Sequence, residues 1–481
     1  MVWKQLEPTA SHLTYIVLSS FLIIYALFSL FIRNRLHLSE PPLATLFGII
    51  FGPRGVGVLR PEVWGLDDIF MQEFTRIILG IQVFAVGIEL PAHYLAGHWK
   101  NVLMMLGPVM TFGWLVCAGL IYGFLRINFA TSLVIAACLT PTDPVLAASV
   151  LSNSQFSTRV PRRIRHLLSA ESGCNDGVSF PFIYIGLFVM TEKTVGSILE
   201  KWFLITILWQ CVLGTVIGLV LGGSANAVLR FVHGRRMIGR SSYLVFYILL
   251  AVFCIGVAST LGVDDFLVAF AAGIGFAHDG WFRSKIAETR LPMIIDLLLN
   301  STMFVYFGAS IPWHLFNKTA STYSLNPGVL LGLLACILLL RRIPIVAILS
   351  PFISDIRTYR EALFAGHFGP MGVAALFLAI VARAHLETGA EVPLPHPPGH
   401  GEEPHPVPPE SKRAIEVIWP VVCFIVLGSV MVHGLSTLAI SVGSHFARKE
   451  GERAPLIGAE TGRFEGLVSD ESEDDLEEAE R

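Results

Sequence analysis

Apolar sequence in blocks the length of a bilayer crossing recurs from residue 12 to residue 443, and this sets the fold class before any other feature is weighed. About thirteen blocks can be marked: 12–33, 42–60, 68–91, 100–126, 129–153, 163–190, 199–231, 241–261, 263–279, 290–312, 326–351, 358–384 and 414–443. Most reach the roughly 20 residues that a helix needs to cross the hydrocarbon core. With 53% hydrophobic and 15% charged residues over 481 positions, the chain is too apolar for a water-soluble globule. Lipid leaves each segment to satisfy its own backbone, so these blocks fold as helices. The expectation is an all-α polytopic membrane protein with about 13 transmembrane helices, embedded in a lipid bilayer.

The basic residues test this count, because an error of one span would scramble them across the membrane. With the N-terminus outside, Arg33 and Arg35, Lys100, Arg159 to Arg163, Arg235 to Arg240, Arg283 and Lys285, and Arg357 and Arg360 all fall on the cytoplasmic side. The opposite loops keep chiefly Lys193, Lys318, Lys412 and Arg413. This predicts an N-terminus outside and a C-terminus in the cytoplasm. Residues 1–445 then form the membrane domain. Within it, the Pro/His-rich stretch 386–413 reads as a disordered external loop, better suited to solvation than to metal binding. Residues 446–481 read as a disordered acidic cytoplasmic tail. The seven cysteines all lie in expected spans, which argues against structural disulfides. No motif calls for a cofactor, and a formal net charge of −3 gives no reason to expect a nucleic-acid partner.

Two polar islands interrupt this apolar pattern. Thr140-Pro141-Thr142-Asp143-Pro144 breaks the fifth span, and Glu171-Ser172-Gly173-Cys174-Asn175-Asp176 lies within the sixth. An ionisable side chain at bilayer depth costs about 2.5–3.5 kcal/mol on insertion scales, so it points to function. A second break, Gly366-His367-Phe368-Gly369-Pro370-Met371-Gly372, falls in the twelfth span. The broken helix is fifth in each set of six spans, 1–6 and 8–13, with span 7 between. That pattern suggests two inverted repeats whose broken helices cross at a transport site.

The freed carbonyls and hydroxyls of Thr140 and Thr142 are hard oxygen ligands suited to Na+ or Li+, and Asp176 would add the anionic ligand. Asn175 is neutral, so the pair 175–176 carries one titratable charge. That favours one proton for one monovalent cation. A bare carboxylate is costly to carry through the membrane, so Asp176 would travel holding either the metal ion or a proton. Competition of that kind suffices for obligatory exchange. A cation channel would need a continuous polar pore, whereas these acids are few and clustered. Ser172 has no histidine partner to make it a nucleophile, so a secondary active transporter is expected rather than an enzyme.

Other candidates carry two readings each. Glu171 needs a cation if buried, and Arg341 or Arg342 after the apolar run 336–340 can supply it; Arg342 is preferred, and snorkelling of both arginines is the alternative. Asp264 and Asp265 open an apolar run, where they either cap a helix or govern ion access and gating. His367 sits in the second break, either as a pH sensor or as a structural histidine. Glu89 reads as interfacial.

These motifs resemble the fungal plasma-membrane Na+/H+ antiporters of the monovalent cation/proton antiporter superfamily. The resemblance rests on 140–147, 170–181, 263–273, 341–344, 361–370 and Gln82-Val83-Phe84-Ala85-Val86-Gly87-Ile88-Glu89-Leu90-Pro91. It implies a core domain moving against a dimerisation domain, hence a homodimer, with export of Na+ and Li+ against H+ at the plasma membrane. K+ as a further substrate stays open. It also implies that Asp176 binds the ion and the proton, that Asn175 and Asp143 belong to the same site, and that Glu171 pairs with Arg342. Many animal and bacterial relatives carry an arginine where this chain has Met371, so that role is not transferred.

Overall fold

The computed structural model describes residues 9–36, 38–143, 160–286, 291–317, 319–320, 323–394 and 408–447. The far half of the fifth span, most of the Pro/His-rich loop and the acidic tail lie outside the described residues.

Helices account for nearly everything described. In chain order those of seven residues or more are α1 (Ala10–Asn34), α2 (Glu40–Phe51), α3 (Asp68–Glu89), α4 (Tyr94–Leu125), α5 (Phe129–Cys138), α6 (Arg162–Thr191), α7 (Val195–Gly234) and α8 (Arg240–Leu261). There follow α9 (Asp265–Ala277), α10 (Leu291–Ser310), α11 (Pro327–Leu340), α12 (Ile343–Leu349), α13 (Tyr359–His367), α14 (Val373–Thr388) and α15 (Pro409–Ala447). Seven helical segments among the described residues are long and apolar enough to cross a membrane, and shorter apolar helices such as α5, α9 and α10 lie among them. The protein is a multi-pass membrane protein.

Local chemistry explains the ends. Asp67 accepts the N–H of Phe70 at 2.9 Å and caps α3, and Asn128 accepts that of Thr131 at 2.7 Å and caps α5. α2 stops at Phe51, shorter than the apolar block 42–60, because Gly52-Pro53 cannot prolong it. A further difference lies in the eleventh span. It is interrupted at Arg341-Arg342, where Arg342 leaves helical geometry (φ −131°, ψ −42°) ahead of Pro344. Pro344 has no N–H to give the Leu340 carbonyl four residues earlier, so α11 ends there, and hydropathy alone does not reveal this third break. A two-residue strand pair, Thr319–Ala320 with Tyr323–Ser324, joins α10 to α11.

The helices pack in two groups. In one, small residues bring backbones close. A Cβ on Gly222 of α7 would stand 2.0 Å from the Ala272 carbonyl oxygen of α9, and one on Gly48 of α2 would stand 2.1 Å from that of Val305 in α10. Such contacts are the usual means of association where lipid provides no hydrophobic drive. The second group, α4–α6 with α11–α15, contains the breaks. The groups meet where α6 and α14 press on α3, where α6 packs on α7 and α9, and where α15 packs on α2.

The start of the expected external loop is packed. Gln72 donates to the Glu391 carbonyl at 2.7 Å, and the Tyr184 hydroxyl donates to the Glu391 carboxylate. Residues 409–413 of that stretch already belong to α15.

Candidate ion-binding site at the crossed helix breaks

The two breaks touch. The Asp143 N–H donates to the Pro370 carbonyl at 2.8 Å, and the Asp143 carboxylate accepts the Val373 N–H, the first of α14, at 3.3 Å. One carboxylate thus faces the positive end of a helix dipole. Gly372 makes this approach possible, since a Cβ there would stand 2.0 Å from Asp143 Oδ2.

At their other ends both half-helices present carbonyls with no helical donor. The Arg341 guanidinium donates to the Leu139 carbonyl at the end of α5 and to the Gly369 carbonyl after α13. One buried cation therefore meets the negative ends of both broken helices. Arg342 turns the other way. It donates to both Glu171 oxygens, at 2.5 and 2.6 Å, and to the Ala365 carbonyl at 2.9 Å. Both arginines are buried, so neither snorkels to the membrane surface.

Asn175 and the threonines are largely occupied with one another. Asn175 Oδ1 accepts the Thr142 N–H at 3.1 Å, and its Nδ2 donates to the Thr142 hydroxyl at 2.7 Å. The Thr142 hydroxyl also shares a hydrogen bond with Ser172 at 2.9 Å. Thr140 donates to the Ala137 carbonyl at 2.7 Å and contacts Ser179 at 3.0 Å. These bonds lock the first break onto α6.

Asp176 is the exception. It is 1% exposed, yet neither carboxylate oxygen has a hydrogen-bond partner among the described residues. Pro181 has no N–H to give the Gly177 carbonyl four residues earlier, so a backbone oxygen beside Asp176 also lacks its usual helical donor. Asp143 and Asp264 both lie within electrostatic reach of Asp176. An uncompensated buried carboxylate is expensive, and among the described residues no cation of the protein pairs with this one.

The remaining candidates divide. Asp264 Oδ1 accepts the N–H groups of Phe266 and Leu267 at 3.0 and 2.9 Å, as a cap of α9, while Oδ2 is buried without a partner. Asp264 also lies against α6, because a Cβ on Gly177 would come within 2.9 Å of its Oδ1. Asp265 pairs with Arg76 at 2.7 Å and accepts from Ser259 at 2.7 Å. His367 stands apart from the carboxylates. Its Nε2 meets the Ser436 hydroxyl at 3.0 Å, its carbonyl meets His433 Nε2 at 3.0 Å, and the two rings lie 5.1 Å apart. Sequence reasoning missed His433 and Ser429, whose hydroxyl accepts the Met371 N–H at 2.8 Å. Their only signal was polarity within the thirteenth span.

The family model described as the transmembrane sodium/hydrogen exchanger matches residues 19–442. A probable Na+/H+ antiporter of Schizosaccharomyces pombe is 43% identical over 463 residues, covering 93% of this chain and 60% of that protein. Na+/H+ antiporter 2 of Zygosaccharomyces rouxii is 42% identical over 468 residues, covering 96% of this chain and 56% of that protein. The chain thus spans three fifths or less of the length of these curated relatives. The solved structure of the sodium proton antiporter MjNhaP1 from Methanocaldococcus jannaschii shares the fold, with a TM-score of 0.61 at 18% identity over 88% of this chain and 98% of that one. The chain belongs to the transmembrane sodium/hydrogen exchanger family.

Proposed function

We propose that this protein is a secondary active antiporter that moves Na+, and Li+, out of the cytoplasm in exchange for H+ by alternating access. The observation that carries the reading is the Asp176 carboxylate, buried with both oxygens unbonded among the described residues while its neighbours are paired, capped or clamped. Such a group crosses the membrane holding a proton or an alkali cation, never bare. Occupancy by one excludes the other, and that exclusion couples the two flows.

The surrounding residues divide the work. Asp143, held by the N-terminus of α14, adds negative potential beside Asp176. Asn175, Thr140 and Thr142 fix the first break beside the carboxylate, with hydroxyl and carbonyl oxygens as further ligands. Arg341 and the Glu171–Arg342 pair keep both breaks and α6 together, so the site moves as one piece. Asp264 and Asp265 line the approach from the opposite group of helices, and His367 is a candidate for pH response at the α13–α15 contact. The names of the relatives support Na+/H+ exchange, and the distribution of basic residues supports an outside N-terminus and a cytoplasmic C-terminus. We place the protein in the plasma membrane as a homodimer.

The test is reconstitution in liposomes with an imposed pH gradient, followed by addition of Na+, Li+ or K+. Na+ and Li+ should collapse the gradient with the wild type and leave it intact with Asp176→Asn, and the K+ trace reads selectivity directly. Equal exchange by the Asn variant would overturn the shared-carboxylate mechanism.

A further inference from the structure

We propose that Asp296, Asn300 and Gln82 form a second station for the transported cation, on the side of the membrane that carries the α3 C-terminus, where an alkali cation sheds part of its water on the way to Asp143 and Asp176. The proposal rests on the exchange reading above and deepens it.

The residues come from two helices that the binding site itself does not use. On α10, Asp296, Asn300, Met303 and Phe307 fall on one helical stripe at spacings of four, three and four. On α3, Gln82 and Glu89 stand two turns apart on a common face. Exposure falls steadily inward along this track. Glu89 is exposed, Asp296 is half-buried, Gln82 and Asn300 are 2% and 1% exposed, and Asp143 beyond them is 2% exposed. Asp296 lies within electrostatic reach of both Glu89 and Asp143, so the track leads from one to the other.

The amides make the case for a ligand. Neither Gln82 Oε1 nor Nε2, neither Asn300 Oδ1 nor Nδ2, and not Asp296 Oδ1 has a hydrogen-bond partner among the described residues. The Gln82 amide faces the Asp296 carboxylate without reaching hydrogen-bond geometry. Orphaned buried amides are rare because each forfeits its hydration, so these groups are built to meet water or an ion. The opposite face of α10 has no such character. There Ser301 donates to the Glu40 carboxylate, and a Cβ on Gly308 would stand 2.2 Å from the Thr45 carbonyl oxygen. Farther along the polar stripe, Met303 and Phe307 are fully buried and close it, so the track opens to one side only.

The donor set identifies the ligand class. A carboxylate and two amide carbonyls are hard oxygen donors, too few to strip a divalent ion but adequate for a partly hydrated alkali cation. Among the described residues the charged neighbours are Glu89, Asp143 and Arg283, and the last of these is turned onto the Ile88 carbonyl at 3.0 Å. The negative side chains therefore dominate the track and favour a cation.

The experiment uses the full chain in liposomes of uniform orientation, with Na+ titrated from each side. Asp296→Asn should raise KM for Na+ about fivefold from the side of the α3 C-terminus, affecting KM more than the maximal rate and leaving KM from the other side unchanged, and Asp296→Glu should restore it. Independently, an Asn300→Cys chain should react with a membrane-impermeant thiol reagent from that side only, more slowly in Na+, with the unsubstituted chain as control. An unchanged KM in Asp296→Asn, or an Asn300→Cys chain that is inert from that side, would overturn the station while wild-type exchange stands. Failure of the exchange reading looks different, since the wild type itself would then leave the gradient intact.

Discussion

Glu171 and Asp176 lie five residues apart on α6, both within the membrane and both almost fully buried, yet the protein treats them in opposite ways. Glu171 receives a two-pronged guanidinium from Arg342, whereas Asp176 receives no hydrogen bond or cation among the described residues. A buried pair with good geometry breaks roughly even on energy, but losing one partner leaves a stranded charge. A lone buried carboxylate already bears that cost, so its retention has to be sought in transport. The contrast separates a carboxylate that holds helices together from one that holds cargo.

The comparison can be broken by mutations that shift stability in one region and transport in the other. The largest destabilisation is expected for Glu171→Ala, which strands the Arg342 guanidinium and should cost about 3–5 kcal/mol. The folded yield and melting temperature in detergent measure it, and Glu171→Ala with Arg342→Met should recover a large part of the loss. Arg341→Gln comes next. Removing two charge-assisted bonds to the Leu139 and Gly369 carbonyls should cost about 2–3 kcal/mol and lower exchange, because both breaks loosen together. Gly372→Ala should cost about 1–3 kcal/mol by pushing a methyl into Asp143, and it should lower Na+ affinity without altering the helix content read by circular dichroism. No loss of stability is expected for Asp176→Asn, which removes a buried charge that nothing compensates among the described residues and should leave the protein as stable as wild type or more so, although exchange is lost. If Asp176→Asn proved as destabilising as Glu171→Ala, the division between holding and carrying would collapse.

Much of this was legible in the sequence because membrane insertion writes itself into composition. Apolar runs give spans, and Pro and Gly inside them give breaks, which is why 140–144 and 366–372 stand out. Direction is harder to read. Nothing local says that Asn175 spends both ends of its amide on Thr142, or that Arg341 turns to the breaks while its neighbour turns to Glu171. Adjacent residues in a helix point about 100° apart, and the local unwinding at 341–342 changes even that. Asp264 and Asp265 show the same limit, since one became a cap and the other an ion pair. The packed root of the Pro/His-rich loop at Glu391 was hidden for another reason: its partners, Gln72 and Tyr184, lie hundreds of residues away.

Arg341 also bears on how such a chain can be altered piece by piece. Its one side chain grips the ends of α5 and α13 from a position on neither, so three distant stretches of sequence share a single joint. A chimera that swaps the eleventh span alone, or either broken span alone, replaces one part of that joint with a stranger. Exchanges between relatives should therefore succeed when residues around 139, 341 and 369 travel together, as if they were one inherited segment.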